Sequence, residues 1–426
     1  MMSDENIVLC PLSMLTALAL VCLAAKGKTE TQMKKDTMDY ISKKINQFGV
    51  DLSNELRRSE SDKNRVLSPL SISKALSLML LGSRGDTAAQ IEKVLHLSES
   101  EPKFKAEERG VGESGEGTPK KEEIAEVHKK FHELLQSLNT VSVLNPCAVF
   151  VPLDIPLSEE YVRSAEELYQ AKVKTVDFGE DKTRQEINSW VEEKTDRKIK
   201  DLFPENSLDK SSSLILVDAV YFKGLWKKKF NEKNTINAPF YLTKDSQKSV
   251  PMMSQTGKFN VGAIDEIDAL IIELPYEAND LSMFMILPNE TDGLQKVEDQ
   301  MTPEALMSWT STKNMASEKV ELQIPRFKME KSYNLDQSLK NMGMVDAFSQ
   351  QKANLSGISD VTPYLFNFYL KAFMEISEAG TEAATIAHEP KSAMQPREIV
   401  ADHPFIFIIK DIRTCVTRLQ SAVYSP

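Results

Sequence analysis

The order of the apolar patterns along this 426-residue chain predicts an α+β fold built around large β-sheets. Patterns with helical periodicity are concentrated in the first half, whereas strand-like apolar runs are concentrated in the second half. One run, residues 214–222 (LILVDAVYF), is almost continuously apolar, which indicates a central strand covered on both faces. The sequence does not show the regular alternation of strands and helices that is typical of a βαβ fold.

Four segments have the apolar spacing of helices, namely residues 38–56, 64–95, 122–138 and 184–203. In the second segment, the motif SPLS precedes a strongly apolar helix that Gly82 and Gly85 break. In the fourth segment, the apolar side chains form a single stripe: Ile187, Trp190, Val191, Ile199 and Leu202.

Besides residues 214–222, four more apolar runs predict strands, at residues 269–276, 281–287, 320–324 and 404–409. Residues 98–121 are charged, rich in glycine and nearly free of large aliphatic side chains. This composition predicts a flexible surface loop between two helices, because such a segment cannot bury enough apolar surface to become ordered.

The N-terminal segment is a partial duplicate. The sequence NIVLCPLSMLTALALVCLAAKG from Asn6 corresponds without a gap to NRVLSPLSISKALSLMLLGSRG from Asn64. We interpret residues 1–36 as an extra copy of a buried helix, either poorly docked or disordered, placed before the real domain. Residues 7–25 carry no charge and have the length of a membrane anchor, which is the less favoured alternative. The acidic residues before them disfavour a signal peptide.

Charge and composition argue against several classes of function. The net charge is −11, so nucleic acid is a poor partner, since phosphate binding needs a basic face. The four cysteines lack CxxC spacing and indicate free thiols. His128 and His132 lie one helical turn apart, which indicates a solvated helix face more than a metal site. No P-loop, HExxH or GxSxG motif occurs, so we expect neither an enzyme nor a cofactor.

Several separated motifs resemble those of the serpins, the serine protease inhibitor family. They include SPLSISKAL, INSWVEEKTDRKIKDLF, VDAVYFKGLWKKKF, IPRFKMEKSYNL, KAFMEISEAGTEAA and ADHPFIFIIKD. The resemblance extends from about residue 38 to the C-terminus and is to the ovalbumin-like, mostly intracellular clade B. It implies one domain, residues 37–426, with a large mixed main β-sheet, two further sheets, about nine helices and an exposed reactive-centre loop.

The same resemblance implies a monomer in the cytoplasm that acts on a serine protease, without a membrane partner. Secretion without a cleaved signal peptide is the alternative location.

The resemblance places the reactive-centre loop at residues 378–400 and implies that, after cleavage, its first half becomes a new strand of the main sheet. The residues themselves suit this role. A strand points alternate side chains to one face, and the alternate side chains after Gly380 are small: Thr381, Ala383, Thr385 and Ala387. The implied hinge comprises Glu378, Gly380, Thr381, Glu382, Ala383, Ala384 and Thr385.

By the usual serpin spacing, the protease cuts between Met394 and Gln395, which suits a chymotrypsin-like or elastase-like enzyme. Lys391 and Arg397 are the trypsin-like alternatives.

Serpins have a hydrogen-bonded cluster of two serines, an asparagine and a histidine where the main sheet opens, and a tryptophan at the top of the sheet. The corresponding positions in this chain are Ser68, Ser71, Asp218, Leu370 and Trp226. Asp218 and Leu370 thus replace the asparagine and the histidine. A buried carboxylate is costly unless it is protonated or paired.

The leading hypothesis from the sequence is a suicide-substrate inhibitor of serine proteases. The alternative is a non-inhibitory serpin that acts in storage, as a carrier or like a chaperone. Asp218 and Leu370 favour this alternative. So do Arg418 and Gln420, which stand in the last strand where apolar side chains are expected.

Overall fold

In the computed structural model, the described residues are 28–98, 119–138, 143–277, 280–361, 363–379 and 396–426. They contain nine α-helices: α1 Lys28–Ser59, α2 Pro69–Gly82, α3 Gly85–Val94, α4 Pro119–Ser137, α5 Glu159–Tyr169, α6 Asp181–Lys194, α7 Leu294–Gln300, α8 Pro303–Trp309 and α9 Asp336–Asn341. None of these helices is long and apolar enough to cross a membrane. Residues 7–25 lie outside the described residues.

The same residues contain fifteen β-strands. They are β1 Arg65–Leu67, β2 Val143–Leu144, β3 Cys147–Pro152, β4 Lys172–Val176, β5 Leu214–Phe222, β6 Ile236–Thr243, β7 Ser246–Ile264, β8 Ala269–Pro275, β9 Leu281–Pro288, β10 Ala316–Pro325, β11 Phe327–Asn334, β12 Leu365–Ile376, β13 Arg397–Val400, β14 Phe405–Asp411 and β15 Thr417–Val423. The predicted strands at residues 269–276, 281–287, 320–324 and 404–409 are therefore confirmed as β8, β9, part of β10 and β14.

A six-stranded mixed sheet, the main sheet, has the order β11-β12-β5-β3-β4, with β2 paired to β5. The pairs β12–β5 and β3–β4 are parallel, and the remaining pairs are antiparallel. All nine residues of β5 are buried, which confirms the predicted central strand. Leu214, Leu216 and Val220 belong to the core on the side of α2, whereas Ile215 and Val217 pack with side chains of α6 on the other side.

A second sheet has nine strands in the order β1-β15-β14-β9-β8-β7-β10-β13, with β6 paired to β7. The resemblance implied two further sheets, but the described residues join them into one. The reason is β7, whose 19 residues pair in turn with β6, β10 and β8. A strand of this length passes from one half of the sheet to the other without interruption.

Two helices differ from their predicted bounds. The predicted helix at residues 184–203 is α6, and it ends at Lys194 because Asp196 and Arg197 adopt left-handed backbone conformations, with φ of 51° and 61°. Ile199 still packs into the same apolar cluster as α6, which explains why the apolar stripe continued. At the N-terminus, α1 begins at Lys28, so the predicted boundary between residues 36 and 37 lies inside one continuous helix.

The last strand, β15, accommodates the unexpected polar residues. Every residue of β15 is buried, and Arg418 and Gln420 are each 3% exposed. Gln420 donates a hydrogen bond to the sulfur of Met301 at 3.6 Å. Burial lowers the pKa of Arg418 to about 10, and the nearby carboxylates of Asp411 and Asp280 oppose this shift. The second sheet therefore forms around these side chains.

Candidate functional site

The central feature of the site is the parallel pairing of β5 with β12, which we call the joint. It extends from Leu214 opposite Leu365 to Phe222 opposite Met374. On its other side, β12 pairs antiparallel with β11, and β5 pairs with β3. The chain leaves β12 at Ile376, close to the end of the joint where Phe222 lies opposite Met374. The first described residues of the predicted reactive-centre loop, Glu378 and Ala379, follow directly, and its last residues, 397–400, form β13.

The first residues after β12, Ser377 to Ala379, form the loop head, which hydrogen bonds hold in place. The indole Nε1 of Trp226 donates to Ser377 O at 2.9 Å, and its backbone N–H donates to Ala379 O at 3.1 Å. The backbone N–H of Phe230 donates to Glu378 O at 2.8 Å. Since Trp226 is buried, this side chain fixes where the loop departs from the sheet.

The Glu378 side chain is a second anchor of the loop head. Although it carries a carboxylate, Glu378 is only 5% exposed. Its Oε1 accepts a hydrogen bond from the hydroxyl of Thr235 at 2.7 Å and one from the guanidinium of Arg326 at 3.2 Å. The carboxylate therefore ties the end of β12 to the segments before β6 and β11.

Sequence reasoning identified Trp226 and Glu378 but missed Phe230, Thr235 and Arg326. Arg326 lies in the motif IPRFKMEKSYNL, and its charge between the apolar residues Ile324 and Phe327 was an available signal. Thr235 gave no signal, because a single hydroxyl in a polar segment becomes distinctive only when the fold brings a buried carboxylate to it.

Four of the predicted residues lie close together where the joint packs against the beginning of α2. Ser68 caps the N-terminus of α2, and its Oγ accepts the backbone N–H of Ser71 at 3.2 Å. The Oγ of Ser71 lies 2.6 Å from each carboxylate oxygen of Asp218. Leu370 is the direct cross-strand neighbour of Asp218 and is fully buried. Leu370 brings no polar atom to the cluster, so Ser71 is the side chain that hydrogen-bonds to Asp218.

The electrostatics of this cluster favour a neutral acid. Burial raises the pKa of Asp218 to about 7, while the hydrogen bond from Ser71 and the charge of Lys74 act in the opposite direction. The ammonium of Lys74 donates to Asn145 O at 3.1 Å. Cys147 lies opposite Asp218 on β3, and burial raises the pKa of its thiol, so it stays uncharged.

Arg397, one of the alternative cleavage positions, is the first residue of β13. This strand pairs parallel with β10, and the guanidinium of Arg397 contacts Glu318 at 3.2 Å. The other cleavage positions and most of the hinge lie outside the described residues. They are Gly380, Thr381, Glu382, Ala383, Ala384, Thr385, Lys391, Met394 and Gln395.

The sequence predicted that His128 and His132 on α4 form a solvated helix face. This prediction is wrong for His128, which is buried. His128 is 3% exposed, and its Nδ1 lies 2.5 Å from the hydroxyl of Tyr169. Burial, assisted by the charge of Arg84, lowers the pKa of His128 to about 4, so the imidazole is neutral. His132 instead contacts Leu168 O at 3.2 Å. The two rings therefore have separate partners on α5.

Comparisons with known proteins agree with this architecture. The family model Serpin (serine protease inhibitor) matches residues 43–426. Serpin B13 of Homo sapiens is 39% identical over 388 residues, which cover 88% of this chain and 96% of that protein. Serpin B3 of Homo sapiens is 37% identical, with 88% and 97% covered.

The crystal structure of uncleaved ovalbumin is similar to this structure, with a TM-score of 0.78 and 32% sequence identity. The match covers 91% of this chain and 100% of ovalbumin. With the family model matching far more than half of its length, the chain belongs to the serpin family.

Proposed function

We propose that this protein is a suicide-substrate inhibitor of serine proteases. The serine oxygen of the target attacks a carbonyl in the reactive-centre loop and forms an ester, and the amine of the next residue leaves. The loop, with the protease attached, then inserts into the main sheet between β5 and β12, before water hydrolyses the ester. The observation that carries the proposal is the position of the loop head directly beside the joint.

Strand direction supports insertion at the joint. A chain that folds back after Ala379 runs antiparallel to β12. One side of β12 is already occupied by β11, so the joint is the available position. An antiparallel strand placed there replaces one parallel pairing with two antiparallel ones. Since antiparallel pairs are slightly more stable per residue than parallel pairs, this replacement is favourable at each residue of the inserted strand.

The added strand makes insertion of the loop strongly favourable. A loop strand adds on the order of ten ladder hydrogen bonds at about 0.5–1.5 kcal/mol each, which gives on the order of 10 kcal/mol. Burial of apolar loop side chains adds to this sum. The intact protein is therefore kinetically trapped, with the loop head held at Trp226 and Glu378 until the chain is cut.

We place the scissile bond between Met394 and Gln395. The pairing of Arg397 with β10 supports this choice over cleavage at Arg397, because a bond inside a paired strand is less accessible to a protease. A methionine at this position suits a chymotrypsin-like or elastase-like pocket. We further assign the protein to the cytoplasm as a monomer, on the basis of the resemblance to clade B.

The test is incubation with chymotrypsin and with elastase, followed by denaturing gel electrophoresis. The expected product is a covalent complex that survives denaturation. Replacement of Thr381 by arginine is expected to abolish the complex while cleavage continues, because this side chain must be buried on insertion. Glu382→Arg is the matched control, since position 382 already carries a charge and a strand would point its side chain to the opposite face from that of Thr381. Cleavage by every protease without any complex would refute the proposal.

The second candidate is a non-inhibitory serpin. Two observations favour it: Asp218 and Leu370 replace the family's asparagine and histidine beneath the joint, and β15 buries Arg418. In this case both proteases would nick the wild-type chain, and Thr381→Arg would behave like the wild type.

Residues 1–36 are not part of the inhibitory machinery in this proposal. The family model begins at residue 43, after the duplicated segment. A chain that lacks residues 1–36 is therefore expected to form the same complex.

A further inference from the structure

Asp218 occupies the middle of the joint. In one row across the main sheet, Cys147 of β3, Asp218 of β5 and Leu370 of β12 are direct neighbours. Any separation of β5 from β12 therefore removes Leu370 from the side of Asp218. Because Asp218 and Leu370 are both fully buried in the closed sheet, the carboxyl group meets water only when the joint opens.

The contact with Ser71 provides Asp218 with a single hydrogen-bond donor. The hydroxyl oxygen of Ser71 lies 2.6 Å from both carboxyl oxygens. Contacts of this length between oxygen atoms are hydrogen bonds, and one hydroxyl hydrogen can be shared between two acceptors. A serine hydroxyl supplies one, and an ionised carboxylate supplies none. An ionised Asp218 therefore receives only this one shared hydrogen from Ser71, which compensates poorly for the burial of its charge.

The groups around Asp218 stabilise its charged form only weakly. From α2, Ser71 gives one hydrogen bond and Lys74 gives electrostatic attraction, but the ammonium is bonded to a backbone carbonyl. From β3, Cys147 faces it as an uncharged thiol, and beyond Cys147 the hydroxyl of Tyr161 on α5 donates to Leu78 O at 3.2 Å. From β12, Leu370 is apolar. Burial accordingly raises the pKa of Asp218 to about 7.

We propose that loss of the proton from Asp218 loosens the joint, so that β5 and β12 separate more readily at neutral pH than at acidic pH. The neutral acid has no charge to desolvate and is therefore the form that the closed sheet stabilises. The carboxylate is poorly solvated in the closed sheet and gains water when the strands part. The consequence for loop insertion rests on the proposed inhibitory function, whereas the opening of the joint does not.

The direction of the pH dependence follows from proton linkage. In the closed joint the acid titrates near pH 7, and in an opened, hydrated joint it titrates near its ordinary value of 3.8. Between these values the closed form binds the additional proton. The equilibrium constant for opening therefore rises with pH across this window, by up to about tenfold per unit, and levels off above pH 7.

The test is hydrogen–deuterium exchange of the intact protein at pH 5.5 and pH 7.5, followed by mass spectrometry and corrected for the intrinsic exchange rates. Amides of β5 and β12 are expected to lose protection by about twentyfold at the higher pH in the wild type. In Asp218→Asn the loss is expected to be less than about twofold, since no proton is exchanged. Amides of β8 and β9 serve as the internal control, because they lie in the other sheet. An equal loss in both proteins, or no loss in the wild type, would overturn the proposal.

A second variant separates titration from a structural role and does not depend on Asp218→Asn folding. The hydrogen bond from Ser71 lowers the pKa of Asp218, so Ser71→Ala is expected to move the loss of protection to higher pH. A purely structural role predicts instead that Ser71→Ala lowers protection equally at every pH. No protease takes part in these measurements, so their outcome is independent of whether the protein traps one.

Discussion

We expect the hydrogen bond from Thr235 to Glu378 to contribute more to the free energy of unfolding than the ion pair between Arg326 and Glu378. Two side chains bind the same oxygen of this buried carboxylate: Thr235 at 2.7 Å and Arg326 at 3.2 Å. The ion pair with Arg326 is the more conspicuous interaction. However, the Arg326 side chain is 49% exposed, whereas Glu378 is 6% exposed at its side chain.

The magnitudes follow from this difference in exposure. A hydrogen bond from a neutral donor to a charged, buried acceptor is worth about 1.5–3 kcal/mol. An ion pair with a half-exposed partner is worth about 0.2–1 kcal/mol, because water screens it. We therefore expect Thr235→Val to lower the free energy of unfolding by about 2 kcal/mol and Arg326→Gln by less than about 1 kcal/mol.

Urea denaturation of the two variants and the wild type measures these differences, with the slope of the transition as a check that the unfolded states are comparable. Lys328→Gln is the matched surface control, since Lys328 pairs with Glu375 at 3.2 Å but is 66% exposed. A larger loss in Arg326→Gln than in Thr235→Val would refute the reasoning from exposure.

Three further predictions concern other parts of the chain. Iodoacetamide should alkylate the exposed Cys415 in the native protein but Cys147 only after unfolding, because burial raises the pKa of the Cys147 thiol; peptide mass spectrometry reads this out. The folded-state pKa of His128 is about 4, below its unfolded value of 6.5, so the stability it contributes is lost as the pH falls through this range. Urea denaturation at several pH values should show this effect. Between pH 6.5 and pH 4, the free energy of unfolding of the wild type should fall by up to about 3 kcal/mol more than that of His128→Gln. Removal of residues 1–36 should leave the urea midpoint unchanged, and a lower midpoint would show that the segment packs on the domain.

The sequence predicted those parts of the fold that local composition determines. Residues 214–222 are apolar at nearly every position, and a strand of this kind has few alternatives to the centre of a covered sheet. By contrast, β12 was not predicted as a strand, although it is the partner that completes the joint. Its sequence LFNFYLKAFMEI mixes polar and aromatic side chains, because one of its faces packs on the α2 side and the other faces the segment after α6.

The details of the site depend on contacts that are distant in the sequence. The helix α6 ends where Asp196 and Arg197 adopt left-handed conformations. Neither residue is a glycine, so the sequence did not indicate the end of the helix. The burial of His128 depends on Tyr169, which is 41 residues away. For Asp218, sequence reasoning identified the alternatives, a protonated or a paired carboxylate. Only the position of Ser71 shows how one hydroxyl contacts both oxygens.

Insertion of the cleaved loop into the joint is the central claim, and the melting temperature of the nicked protein tests it most directly. A protease that cuts between residues 380 and 396, at a position verified by mass spectrometry, supplies the nicked material. Insertion predicts that the melting temperature of this material exceeds that of the intact protein by tens of degrees, because a strand has been added to the main sheet. A melting temperature equal to or below that of the intact protein would contradict insertion and, with it, the proposed inhibitory mechanism.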